Sequence, residues 1–230
     1  MRRISFLAAL MAIAAVSPNH AQNSGPANSG GAVPPGYQVY TNAELHLTLT
    51  YSAELTGVDG AFATTAARRM IYGDEQLDAA REDACVKVLL AVGKGSEGKG
   101  SWARVGAVEI RGECFPPKVL QKRKDTQMLL RNLVRQGTTL MGMMPLEQPG
   151  GYQIEGHWAS FGAAQGEPVT KSDIQSGEAQ LIGVGAIAVQ GWILGWVVET
   201  NDAAMFNQLL GSGVVFGTGT PQRLFGGGVQ

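Results

Sequence analysis

The sequence predicts an α+β fold, a mostly antiparallel sheet flanked by helices. Three observations predict it. Apolar runs come in pairs with short glycine-bearing links, residues 85–92 with 102–110 and residues 179–189 with 192–200, and runs joined that closely pair antiparallel. A long amphipathic segment over 116–136 separates these pairs. Glycine, 32 of 230 residues, is about twice its average share and gathers between the runs, where turns are needed.

Residues 1–21 read as a bacterial-type secretory signal. Arg2 and Arg3 give a cationic start, and the apolar run over 4–16 is about the length of a signal core, short of the ~20 residues of a membrane span. Pro18, Asn19, His20 and Ala21 then offer a break and a small-residue cleavage site before Gln22. No Cys follows the run, which argues against a lipid anchor. A periplasmic or secreted location is expected, with a buried N-terminal helix as the alternative. Removing this segment leaves 209 residues, enough for one sizeable core. It also shifts the formal charge from −1 to −3, a poor match to nucleic acid or an anionic membrane surface. No later run holds 18 apolar residues without a charge, so no membrane span is expected. Composition leaves the oligomeric state open.

Residues 22–36, rich in Asn, Ser, Gly, Ala and Pro, read as a disordered linker. A single α+β domain is expected over 37–217, followed by a flexible tail over 218–230. Leu47, Leu49 and Tyr51 alternate with polar residues as in a half-buried strand. Residues 61–84, rich in Ala, Arg, Glu and Asp, suit a helix broken near Gly73. In 85–92, Val86, Val88, Leu90 and Val92 are expected on one strand face. Over 116–136, Val119, Leu129, Leu130, Leu133 and Val134 fall within about 140° of a helical wheel, while Lys124, Arg131 and Arg135 fall opposite within about 40°. This segment is expected to be the longest helix, with a cationic stripe facing water. Residues 152–161 read as one strand. Residues 179–189 and 192–200 form a hairpin about Gln190-Gly191, with Trp192, Leu194, Trp196 and Val198 on one face. Asn201 or Asp202 caps a short helix reaching Leu210, and 214–216 make a last strand.

Cys85 and Cys114 are an even pair; Cys85 opens the first run and Cys114 closes the segment after the second, so a hairpin of those runs brings the two near each other. A structural disulfide suits an oxidising compartment; two buried free thiols are the alternative. The pair lacks the C-x-x-C spacing of redox chemistry.

Three stretches resemble the PsbP-like fold family, first known from photosystem II extrinsic proteins. The opening strand LHLTLTYSAEL over 45–55 is similar to the family's early strand, with Ser52 where the family has Pro. YQIEGHWA over 152–159 looks like its central strand. ILGWVVETNDAAMFNQLLGSGVVF over 193–216 looks like its closing strand, helix and short strand. The resemblance implies an α/β/α sandwich and an extracytoplasmic, mostly non-catalytic role in binding or assembly. None of the family's metal-linked residues is carried over.

No catalytic set stands out. The loop over 93–100 ends Gly98-Lys99-Gly100, where a phosphate loop needs Ser or Thr for Mg²⁺ and a following helix. Gly183, Gly185 and Ala188 echo a dinucleotide fingerprint inside an apolar strand. A serine hydrolase needs a nucleophile, a base and an acid. The mature chain has only His46 and His157, and Ser160 lacks its nucleophile-elbow glycine. The acids Asp74, Glu75, Asp78, Glu82 and Asp83 lack calcium-loop spacing and suit a solvated helix face. No cofactor and no metal are expected. His157 and Trp158, with Trp192 and Trp196, are the ligand-binding candidates. Two Trp at i, i+4 share a strand face, as a binding platform or as sheet core under a helix. Lys124, Arg131 and Arg135 are the partner-docking candidates, or a solvated face. The function expected is an exported, non-catalytic binding or assembly domain whose partner is an envelope protein or a small ligand. The alternative is a cell-envelope hydrolase with an unrecognised active site.

Overall fold

The computed structural model describes residues 35–73, 84–96, 100–139, 143–166, 181–209, 213–216 and 222–223. The expected signal (1–21) and most of the expected linker (22–36) therefore lie outside the described residues, as do the acidic residues of 74–83. In chain order the elements are β1 (Tyr37–Asn42), β2 (Leu47–Ser52), a two-residue β3 (Thr56–Gly57), α1 (Ala61–Tyr72), β4 (Val86–Lys94) and β5 (Ala103–Arg111). Two 3-10 turns, Gly112–Cys114 and Val119–Gln121, lead into α2 (Arg123–Thr138). Then come β6 (Met144–Ile154), β7 (His157–Gln165), β8 (Leu181–Val189), β9 (Trp192–Thr200), α3 (Ala203–Leu209), β10 (Gly213–Phe216) and β11 (Gln222–Arg223).

The strands form two sheets. The larger has the order β3-β4-β5-β9-β8-β7-β6 and the smaller β1-β2-β10-β11, and within each sheet neighbouring strands pair antiparallel. The predicted α+β class is therefore what the chain adopts. The large sheet carries a core on each face. One core joins Val108, Ile110, Val184 and Val197 to Ala63, Ala67 and Met70 of α1 and to Leu130, Leu133 and Val134 of α2. The other joins Leu194, Trp196 and Val198 to Leu47, Leu49 and Tyr51 of the small sheet and to Phe206 and Leu209 of α3. The outer layer on that side is thus a small sheet together with one short helix.

The predicted hairpins form where expected. β8 and β9 are joined by Gln190-Gly191, with Gly191 at φ 85, and β4 pairs β5 across the 93–100 loop. Cys85 and Cys114 are bonded, their Cα atoms 5.8 Å apart. α1 stops at Gly73, whose φ of 66 suits glycine at a helix end. Of the two candidate caps, Asp202 caps α3, accepting the Ala204 and Met205 amides at 2.8 and 3.1 Å. Asn201 is buried and bridges the Trp102 amide and the Gly100 carbonyl instead.

Three expectations are corrected. Residues 152–161 are not one strand. Glu155 and Gly156 take φ 47 and 80 and turn the chain between β6 and β7; positive φ at both central residues gives the turn whose twist suits a tight hairpin. Val86, Val88, Leu90 and Val92 do not share a face. The register jumps between Val88 and Leu90, and the extra residue reverses the alternation, so Val86 and Val88 face the helices while Leu90 and Val92 face the small sheet. α2 does not begin at Pro116. Lys118 is left-handed at φ 69 and Lys122 is extended, so helical hydrogen bonding starts only at Arg123.

Close packing of α1 depends on Gly106 of β5, because a Cβ there would lie 2.6 Å from Ala63 Cβ. We expect Gly106→Val to cost about 1–3 kcal/mol by overpacking, while Gly57→Ala, with nothing within 4 Å of the new atom, stays near neutral; urea unfolding of the two variants checks both. The disulfide closes a separation of 29 residues. Cys85→Ser with Cys114→Ser should cost about 3–4 kcal/mol on the chain-entropy account, read as a lower urea midpoint that reductant reproduces in the wild type. At the end of β9 the Glu199 carboxylate accepts from Arg104 Nη2 at 2.8 Å, with side chains 11% and 29% exposed. Glu199→Gln should cost about 1–3 kcal/mol, between the limits for exposed and buried pairs.

Candidate functional site

The outer face of α2 carries the cationic row expected from the sequence. The helix is amphipathic, and its inner face, Leu130, Leu133 and Val134, is buried in the core. Gly137 lets it settle there, since a Cβ at that position would meet Met70 at 2.8 Å and Val184 at 3.0 Å. That seating turns Lys124, Arg131 and Arg135 into solvent, as the helical wheel predicts, and all three are exposed. Together with Gln127, Met128, Asn132 and Pro149 of β6 they line a shallow groove of ≈ 440 Å³. Met128 is 57% exposed at this groove. Among the described residues, none of Lys124, Arg131 and Arg135 belongs to an ion pair. Arg135 Nη2 donates to Asn132 Oδ1 at 3.0 Å. Arg131 lies across β6 with Nη2 3.1 Å from where a Cβ on Gly151 would sit. Pro149 and Gly151 carry no sequence signal of their own; only the β6–β7 register brings them under α2.

The ligand-binding candidates do not form one site. Trp196 is 0% exposed and Trp192 9%, both in the core between the two sheets. His157, on β7, is half-buried, its ring 4.5 Å from that of Phe216, and its Nδ1 donates to the Ala188 carbonyl at 3.1 Å. Trp158 points to the opposite face, where the Arg123 guanidinium stacks on its ring at 4.5 Å. Adjacent strand residues face opposite ways, which separates His157 from Trp158 and equally from Ser160. The Ser160 hydroxyl is buried and donates to the Gly150 carbonyl at 2.7 Å.

A second depression of ≈ 260 Å³ lies at the other edge of the sheet, lined by Val58, Asp59, Gly93, Ser96, Trp102 and Arg104 among others. Arg104 is held there between the Phe62 and Trp102 rings at 5.0 and 4.8 Å and by Glu199. Asp59 accepts the Ala61 amide at 3.0 Å. Nearby, the Lys94 ammonium 2.5 Å from Glu54 holds that carboxyl below its usual range, first by its hydrogen bond and then by its charge. The fingerprint glycines lie within β8, where Gly183 is covered by Phe206 and Phe161. Among the described residues no helix is long and apolar enough to cross a membrane.

No protein-family model matches the chain, and no curated protein matches it. Among solved structures, the chain is similar to the solution structure of cyanobacterial PsbP from Synechocystis sp. PCC 6803. The identity is 14%, the match covers 81% of this chain and 95% of that one, and the TM-score is 0.38. This is the fold family that residues 45–55, 152–159 and 193–216 resemble in sequence.

Proposed function

We propose that the chain is an exported, non-catalytic binding or assembly domain that docks a cell-envelope protein on the outer face of α2. The observation that carries this reading is the exposed row of Lys124, Arg131 and Arg135 beside the Met128 groove. Among the described residues these cations belong to no ion pair, and like charges along one helix face repel one another by a few tenths of a kcal/mol at i, i+4 spacing. A helix whose only task was to cover the sheet would gain by interleaving acids there. The disulfide supports an oxidising compartment, and residues 1–21 supply the signal that reaches it.

The test is site-directed photocrosslinking in cells, with the crosslinking residue in place of Gln127. A discrete adduct in the envelope fraction is expected, lost when Arg131→Glu and Arg135→Glu are combined while the thermal unfolding curve is retained. The exported protein should begin at Gln22 by mass. Absence of any adduct, together with turnover in a hydrolase panel that disappears in His157→Ala, would replace this reading with that of an envelope enzyme.

A further inference from the structure

We infer that the α2 groove binds an extended acidic peptide segment, and that Gly151, by lacking a Cβ, leaves the room in which Arg131 lies against β6 to meet it. The inference rests on the docking role proposed for this face and names the chemistry of its occupant. Charge is the first argument. From Lys118 to Arg135 the chain carries Lys118, Lys122, Arg123, Lys124, Arg131 and Arg135 against the single acid Asp125, within a protein whose formal net charge is −1. The rest of the molecule is thus net acidic, and the positive charge is concentrated on this one helix and its approach. A carboxylate-bearing partner is drawn to that face and repelled elsewhere.

Length is the second argument. Lys124 to Arg135 covers about 16 Å of helix axis, the span of about five residues of extended peptide. Arg131 and Arg135 are one turn apart, with Cβ atoms about 5–6 Å from each other. Side chains at i and i+2 of an extended peptide lie about 6–7 Å apart on one side. An acid-x-acid pair therefore matches the two guanidiniums, and the residue beyond it reaches Met128 and Lys124. A lone phosphate would engage only one end of this row. A flat lipid surface would leave the groove wall at Pro149 unused.

Gly151 supplies the geometric part. A methyl group there would sit 3.1 Å from Arg131 Nη2 and 3.5 Å from its Nε. Gly151→Ala must shift the guanidinium by a few tenths of an ångström without altering any charge, and the group that gives way is the far end of a flexible, exposed side chain, so the fold is retained.

The full chain is titrated with a fluorescein-labelled heptapeptide alternating Asp and Ala, with its Asn/Ala counterpart, with vesicles containing anionic phospholipid, and with inorganic phosphate. Binding of the Asp/Ala peptide alone is expected, weakening at least tenfold in Arg131→Ala with Arg135→Ala and at least threefold in Gly151→Ala, and falling with added salt. Equal binding by wild type and the double Arg variant overturns the inference. So does binding by vesicles or phosphate without the peptide. Full affinity in Gly151→Ala overturns the role of that glycine. None of these results removes an adduct formed at Gln127, so a failed peptide and a failed docking role remain distinguishable.

Discussion

Every residue of β9 is buried, and that constraint organises the molecule. A strand covered on both faces must send alternate side chains into two separate cores. Ile193 and Val197 meet the helices, while Trp192, Leu194, Trp196 and Val198 meet the small sheet and α3. Both layers are needed to cover it. The strand can end in polar residues only because its neighbour β5 answers them. Arg104 lies opposite Glu199 and bonds it, Thr200 donates to the Trp102 carbonyl, and Asn201 bonds the Trp102 amide. Buried polar groups left without such partners would each cost about 1–3 kcal/mol.

The surface chemistry follows from how tightly the helices sit on that sheet. Small residues set the distance: Ala63 against Gly106 for α1, and Gly137 against Met70 and Val184 for α2. Once α2 lies that low, its long cationic side chains have only the sheet edge and water to reach. The irregular β6, with register shifts around Glu147, forms the far wall through Pro149. Bulges and prolines on an edge strand discourage strand addition, so β6 offers a wall for side chains more readily than an edge for backbone pairing.

Legibility of the site was uneven, and the unevenness has a cause. Lys124, Arg131 and Arg135 could be placed on one exposed stripe from the sequence, because a helix of known pitch fixes which residues share a face regardless of what it packs on. The groove could not, because Pro149 and Gly151 reach α2 through the β6–β7 pairing. That pairing depends on the Glu155-Gly156 turn, hidden inside what reads as a single strand. The Trp192 and Trp196 stripe was visible as well, but alternation says only that the two share a face. The layer that covers the face, which here buries them, comes from β1, β2 and α3, remote in sequence.

Neighbouring residues alone specify the local facts: the α+β class, the paired runs about Gln190-Gly191, the proximity of Cys85 and Cys114, the end of α1 at Gly73 and the two-sided character of α2. Each is written in the spacing of neighbouring residues. Tertiary structure decided the division of the strands into two sheets, the face exchange at Leu89, the separation of His157 from Trp158 and the wall of the groove. Those depend on which distant strand supplies the hydrogen-bonding partner. A one-residue change in that register reverses every side chain beyond it, and no local pattern records it.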